Sequence, residues 1–137
     1  MGERVIDYDD LSTGAGGPQI SHPLTRTDLV MYAGASGDFN PMHHDEVAAQ
    51  AAGLPSVFGH GMFTAGLLAT AVTNYVGVGN LKSYRVRFTK QTWPGEVLTT
   101  SVTVREKRPG NEVVLDCSVV NEAGETKIQG EAVAVLP

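Results

Sequence analysis

The chain has 137 residues, which is enough for one domain with its own hydrophobic core. Hydrophobic residues make up 42% of it and charged residues 18%, a balance that excludes an intrinsically disordered protein and is typical of a globular domain. Fifteen acidic residues against ten basic ones leave a net charge of −5, so we expect neither nucleic acid nor a membrane surface as a partner.

The first elements are short helices joined by loops. Residues 12–18, which are rich in glycine, predict a turn segment. Thr25 followed three residues later by Asp28 predicts the start of a helix. The residues expected on the buried face of this helix are at helical spacing, and they are Leu29, Tyr32, Ala33 and Ser36. Gly37 is expected to end this helix, and a second short helix is expected over residues 45–52.

A long helix and four strands follow. Gly61–Val76 is apolar on nearly every side, which predicts a helix enclosed by other elements. Alternating Val- and Thr-rich segments then predict strands over residues 81–89, 97–107, 112–121 and 126–136. Short turns at residues 109–111 and 122–124 make these strands antiparallel. We therefore expect an α+β fold, in which an antiparallel sheet curls around the helix, as one domain over residues 1–137.

The sequence also bears on the cellular compartment. Cys117 is the only cysteine, which excludes an internal disulfide framework and a cysteine-based zinc site. The first twenty residues contain no apolar segment of the kind found in secretory signals. Residues 61–78 are interrupted by threonines and glycines and fall short of a membrane span. We expect a cytoplasmic protein.

The first candidate for chemistry is a pair of titratable side chains. Asp38 and His43 lie five residues apart across a loop stiffened by Pro41. Such a turn can bring a carboxylate and an imidazole to one water molecule, where one acts as base and the other as acid. The alternative is that Asp38 only caps a turn and His43 lies on the surface.

The second candidate is the segment Phe58-Gly59-His60-Gly61-Met62 at the start of the long helix. Free N–H groups at a helix N-terminus stabilise negative charge, and glycine lets a carbonyl group approach them closely. The segment would then hold a developing oxyanion. The alternative is that the two glycines only let the loop pass close to the sheet.

Together these segments resemble a known family. The run Tyr32-Ala33-Gly34-Ala35-Ser36-Gly37-Asp38-Phe39-Asn40-Pro41-Met42-His43 is similar to the hydratase motif of the MaoC-like (R)-specific enoyl-CoA hydratases and dehydratases. The later Phe-Gly-His-Gly-Met segment and the stretch from Arg87 to Glu96 resemble the same family. The resemblance extends from about Leu24 to the C-terminus, and small mycobacterial dehydratase subunits of fatty acid synthesis are among the similar proteins.

The resemblance implies a hot dog fold and a reversible hydration of a trans-2-enoyl thioester to a (R)-3-hydroxyacyl thioester. It implies that Asp38 and His43 form the catalytic dyad and that the Gly61 N–H binds the oxyanion. Asn40 would support the loop and its water, whereas His60 and Met62 would lie in the substrate-binding region. No cofactor or metal is implied. The implied partners are a thioester of CoA or of an acyl carrier protein and a second hot dog subunit, in a homodimer or a heterodimer.

Several alternatives remain. Lys82, Arg85, Arg87 and Lys90 form a basic run that could bind the phosphates of CoA or an acidic carrier, or could simply be solvated. His43, His44 and Asp45 have metal-binding side chains, but neighbouring residues rarely converge on one ion. Cys117 is expected in the core. A hot dog thioesterase, a subunit that needs an obligate partner, and a non-catalytic partner that shapes an acyl tunnel are the competing functions.

Overall fold

A computed structural model describes residues 6–137. It contains three helices, α1 (Arg26–Ser36), α2 (Glu46–Ala51) and α3 (Gly61–Val76). It contains five strands, β1 (Ser21–Pro23), β2 (Leu81–Phe88), β3 (Val97–Arg108), β4 (Glu112–Val120) and β5 (Thr126–Val135). Short 3₁₀ turns lie at Tyr8–Asp10 and Pro41–His43. The four predicted strands and both hairpin turns are confirmed to within a few residues.

The five strands form one antiparallel sheet in the order β1-β3-β4-β5-β2. The sequence did not predict β1, which pairs with the start of β3 through Ser21 and Thr99. A strand of three residues that ends in proline is too short to show the alternation of polar and apolar side chains. Its pairing depends on a partner strand about 80 positions away, which the local sequence does not reveal. Proline is tolerated there because β1 lies at the edge of the sheet.

Helix α3 packs against the sheet and has the bounds that the sequence predicted. Its buried side includes Leu68, Val72 and Val76, and the Tyr84 hydroxyl of β2 donates a hydrogen bond of 2.7 Å to the carbonyl of Ala65. Within residues 6–137 the sheet packs against this helix, as the sequence predicted, but does not cover it on every side. One sheet covers one side only, and the exposed stripe consists of Met62, Gly66, Thr70 and Asn74.

Helix α1 has the predicted start and end. The Thr25 hydroxyl accepts a hydrogen bond from the Asp28 N–H, and the Asp28 carboxylate accepts one from the Thr25 N–H, which is a complete capping box. Gly37 ends the helix in the left-handed conformation, at φ 75°, which costs glycine nothing. The chain therefore leaves the helix in a sharp turn just before Asp38. No helix within residues 6–137 has the length and apolarity that a membrane span needs.

Candidate active site

Local hydrogen bonds orient the Asp38 carboxylate. The backbone N–H of Asp38 donates a hydrogen bond of 3.2 Å to the Ser36 hydroxyl. The carboxylate Oδ1 of Asp38 accepts a hydrogen bond of 3.2 Å from the Asn40 N–H. Such short-range bonds are typical of aspartate in turns. They engage one carboxylate oxygen and leave Oδ2 to face His43. The Asp38 side chain is about half exposed, at 52%.

The next residues turn the chain inward. The Asn40 side-chain oxygen accepts a hydrogen bond of 3.1 Å from the Met42 N–H, and Pro41 occupies the first position of the 3₁₀ turn. Proline suits that position because it has no N–H to leave unpaired. His43, at the end of this turn, is buried with 7% of its surface exposed. The alternative of a surface histidine is therefore wrong.

The imidazole of His43 is fixed by one backbone group. Its Nδ1 lies 2.6 Å from the carbonyl oxygen of Phe58, which can only accept, so Nδ1 carries the hydrogen. Nε2 is then the nitrogen that can gain or lose a proton. It lies 3.9 Å from Oδ2 of Asp38, too far for a direct hydrogen bond but within reach of one water bound to both.

The Phe58 carbonyl is in turn held by a close backbone contact. The N–H of Gly59 donates a hydrogen bond of 2.8 Å to the carbonyl of Thr92, in the segment between β2 and β3. A Cβ at position 59 would collide with the Thr92 hydroxyl, so only glycine fits. The predicted alternative, that these glycines allow a tight passage, is thus true of Gly59.

His60 links the two candidate segments, a role that the sequence did not predict. Its Nε2 donates a hydrogen bond of 3.1 Å to the backbone carbonyl of Asp38, and its ring stacks on His43 with the centroids 3.9 Å apart. Tyr32 contacts the ring edge-on. Burial lowers the pKa of His60, and the neighbouring His43 acts in the same direction, although the hydrogen bond to Asp38 opposes them.

Gly61 is the first residue of α3, where N–H groups have no partner within the helix. The side chain of His60, which precedes it, makes no hydrogen bond to them. A cavity of about 320 Å³ lies beside this turn. It shares Phe58 and Gly61 with the site, whereas Asp38 and His43 do not line it. Met62 follows Gly61 on the outside, 62% exposed.

Arg85 and Arg87 are not brought together with these residues. Both alternate along β2 with Tyr84 and Val86, which point towards α3, so the two arginines lie on the outer face of the sheet. Arg85 forms an ion pair with Glu131 at 3.3 Å.

Three ligand-type side chains converge at the site. One nitrogen or oxygen atom from each of Asp38, His43 and His60 lies within 4.8 Å of the others. The two imidazole rings are stacked at an interplanar angle of 27°, an arrangement that does not aim two lone pairs at one ion. To ligate through Nε2, His60 would also have to give up its bond to the Asp38 carbonyl. The cluster suits a water better than a metal.

The other predicted side chains have separate partners. The Nε2 of His44 lies 3.1 Å from the Phe39 carbonyl, and Asp45 caps α2 by accepting from the Ala48 N–H. His43, His44 and Asp45 thus point to different places. Cys117 lies in the core as predicted, and burial raises its pKa to about 11, so it is not a nucleophile at neutral pH.

Comparisons with known proteins and solved structures show which family and fold the chain resembles. The profile described as "MaoC like domain" matches residues 15–125. The (R)-specific enoyl-CoA hydratase of Rhodospirillum rubrum is 27% identical over 132 residues, which cover 95% of this chain and 91% of that protein. The 3-hydroxyacyl-thioester dehydratase Y of Mycobacterium tuberculosis is 40% identical over 93 residues, 65% of this chain but only 31% of that protein.

Among solved structures, the unliganded R-hydratase of Pseudomonas aeruginosa is similar over 97% of this chain and 86% of its own, with a TM-score of 0.89 and 30% identity. A two-component complex from Mycobacterium tuberculosis includes a chain with a TM-score of 0.82 at 24% identity, a likeness of fold. The hot dog architecture that the sequence suggested is therefore confirmed.

Proposed function

The chain belongs to the MaoC-like dehydratase family and is a hydro-lyase acting on acyl thioesters, and on that premise we propose that Asp38 and His43 are its catalytic dyad. The proposed reaction is the reversible hydration of a trans-2-enoyl thioester to the (R)-3-hydroxyacyl thioester. The observation that carries it is the 3.9 Å approach of Asp38 Oδ2 and His43 Nε2, with the tautomer of His43 set by the Phe58 carbonyl.

In the hydration direction, a water bound between the two side chains attacks C3 of the substrate. Asp38 takes a proton from this water as the new C–O bond forms. His43, protonated on Nε2, gives its proton to C2 on the same face of the double bond. The proton left on Asp38 then returns to His43 through the next water, which restores both groups.

The charge that develops on the thioester oxygen needs a donor. The Gly61 N–H lies at the positive end of α3 and is proposed to bind that oxygen. Phe88 covers Gly61 so closely that a Cβ there would contact its ring at 2.9 Å, which leaves little space for any side chain at this point. Asn40 and His60 are proposed to act through the dyad, because their hydrogen bonds go to the loop itself.

A second hot dog subunit is part of the proposal. Phe39 directly follows Asp38 and is 64% exposed, and Met62 directly follows Gly61 and is 62% exposed. Large exposed apolar side chains beside a site are typical of a surface that a partner or a substrate covers. Light scattering of the purified protein would give the assembly, and a mixed sample would test for a heterodimer.

The test uses purified protein with crotonyl-CoA and a longer trans-2-enoyl-CoA, each followed by loss of the conjugated enoyl absorbance. Asp38→Asn and His43→Ala are each expected to lower kcat/KM by about 10²–10⁴-fold, the usual contribution of a general acid or base. His44→Ala is the matched control, since that neighbouring side chain is exposed and its Nε2 lies 3.1 Å from the Phe39 carbonyl, and it should keep nearly wild-type activity.

A dehydrogenase specific for (R)-3-hydroxyacyl thioesters should oxidise the product, and one specific for the (S) isomer should not. Wild-type rates in both dyad variants would contradict the mechanism. Running the same assay on enoyl thioesters of an acyl carrier protein would identify the carrier by the larger kcat/KM.

A further inference from the structure

Thr64 has a buried hydroxyl that the proposed mechanism does not use. The residue is 1% exposed, and within residues 6–137 its Oγ1 has no hydrogen-bond partner. An unpaired buried hydroxyl costs about 1–3 kcal/mol, so a native structure that keeps one has a reason to do so.

Two other threonines of the same helix show what Thr64 could have done. The Thr70 hydroxyl donates to the Gly66 carbonyl at 2.9 Å, and the Thr73 hydroxyl donates to the Ala69 carbonyl at 3.0 Å. A threonine hydroxyl in a helix ordinarily donates its hydrogen bond to the carbonyl four residues earlier. Thr64 makes no such bond and keeps its donor free.

The free hydroxyl is on the side of the helix that carries the proposed oxyanion donor. Residues three positions apart lie on one face of a helix, and helical side chains lean towards the N-terminus. The Thr64 side chain is therefore directed towards the turn of Gly61. Both residues line the same cavity of about 320 Å³, together with the apolar rings of Phe58 and Phe88.

We propose that the Thr64 hydroxyl donates a hydrogen bond to the thioester oxygen of the substrate, as a second donor beside the Gly61 N–H. The inference rests on the proposed function, because it assumes that the thioester oxygen lies at the start of α3. As negative charge builds up on this oxygen, a preoriented and buried donor stabilises the transition state more than the bound substrate. No proton is transferred to or from Thr64.

The experiment compares Thr64→Val, which removes the hydroxyl at nearly constant shape, with Thr64→Ser, which keeps it. Thr70→Val is the matched control on the same helix. We expect Thr64→Val to lower kcat for crotonyl-CoA hydration by about 10- to 100-fold with little change in KM, and Thr64→Ser to stay within about threefold of wild type. Thr70→Val should leave kcat unchanged.

Thermal unfolding of the free protein is the readout that a structural role would not produce. Because Thr64→Val removes an unpaired buried polar group, its Tm should equal or exceed that of wild type while its activity falls. A wild-type kcat in Thr64→Val, or a lower Tm together with an equal loss of activity in Thr64→Ser, would overturn the inference.

Asp38→Asn, measured in parallel, separates the two proposals. If Asp38→Asn is inactive and Thr64→Val is fully active, the role of Thr64 is refuted and the dyad stands. If Asp38→Asn keeps wild-type activity, the dyad is refuted and the inference about Thr64 falls with it.

Discussion

Two polar clusters inside this fold differ in how completely their hydrogen bonds are satisfied. The first, which we call the loop anchor, consists of Glu96, Asn121 and Lys127. Lys127 is 2% exposed, and its Nζ lies 2.9 Å from both Glu96 Oε2 and the Gln91 carbonyl. Asn121 donates to Glu96 at 2.6 Å. The anchor thus ties the segment between β2 and β3 to the end of the sheet.

The second, which we call the site cluster, consists of Asp38, His43 and His60. Its two central atoms stand 3.9 Å apart without a direct bond, and the buried Nδ1 of His60 has no partner within residues 6–137. Leaving polar groups open at low dielectric is costly, whereas a satisfied network is stabilising. The closed network therefore stabilises the fold, whereas the open one leaves polar atoms without a partner, as the proposed function requires.

The largest expected effect tests the closed cluster. Lys127→Met removes one member of a buried pair and leaves the Glu96 carboxylate and the Gln91 carbonyl short of a partner. We expect the free energy of unfolding to fall by about 3–5 kcal/mol, measured by urea denaturation. Lys90→Met is the matched control, because Lys90 pairs with Glu125 at the surface and such pairs contribute about 0–1 kcal/mol.

A substitution in the site cluster should affect activity far more than stability. Asp38→Asn should change the free energy of unfolding by no more than about 1 kcal/mol, since its side chain is half exposed, while it lowers kcat/KM by about 10²–10⁴-fold. A loss of stability in Asp38→Asn as large as that in Lys127→Met would show that the site cluster also stabilises the fold.

The next prediction concerns the contact between Thr92, in the segment between β2 and β3, and Gly59, beside the candidate active site. Gly59→Ala forces a Cβ against the Thr92 hydroxyl, and overpacking of this kind costs about 1–3 kcal/mol. The backbone movement that relieves this collision should also displace the Phe58 carbonyl from His43. We therefore expect kcat to fall together with stability. Unfolding curves and kinetics on the same preparation would measure both.

Thr92→Ala removes the obstructing hydroxyl, so the double variant should recover part of both losses. The matched control is Gly66→Ala, because a Cβ at Gly66 meets nothing within 4 Å and alanine favours the helix. Additive losses in the double variant would show that the two side chains do not collide.

Most of the fold could be predicted because its signals are local. The capping box at Thr25, the turn glycine at position 37 and the alternation along the last three strands each depend on neighbouring residues. The missed strand β1 and the exposed stripe of α3 depend on distant elements. Lys127 illustrates the same limit. A lysine in a strand is expected to face solvent, and its partner Glu96 lies 31 positions earlier in the chain, so the sequence alone could not pair them.

At the site, the motif predicted which residues would matter but not how they are held. The dyad, Gly61 and Met62 remain predictions of function, although the structure brings Asp38 and His43 together and places Gly61 at the start of α3. His60 could not be assigned a contact from sequence, because its partners Asp38, His43 and Tyr32 lie far from it along the chain and meet it only in the folded structure. Thr64 had one local signal, its position three residues after Gly61.

The smallest expected effect tests whether His60 belongs to the open cluster. Burial lowers the pKa of this histidine from its ordinary value of 6.5, so between that value and its folded pKa the unfolded chain binds more protons at this position than the native protein does. The stability that comes from burying His60 in its neutral form is fully present above pH 6.5. It is lost as the pH falls through 6.5 towards the pKa of His60 in the folded protein. His60→Gln, which keeps a donor for the Asp38 carbonyl but cannot titrate, should therefore show a smaller fall in Tm between pH 7.5 and pH 5 than wild type. His44→Gln removes only the smaller like-charge effect of His44 on the pKa of His60, so it should change this slope less than His60→Gln does. If His60→Gln also retains the wild-type slope, His60 is already solvated or paired, and the site cluster would be as closed as the anchor.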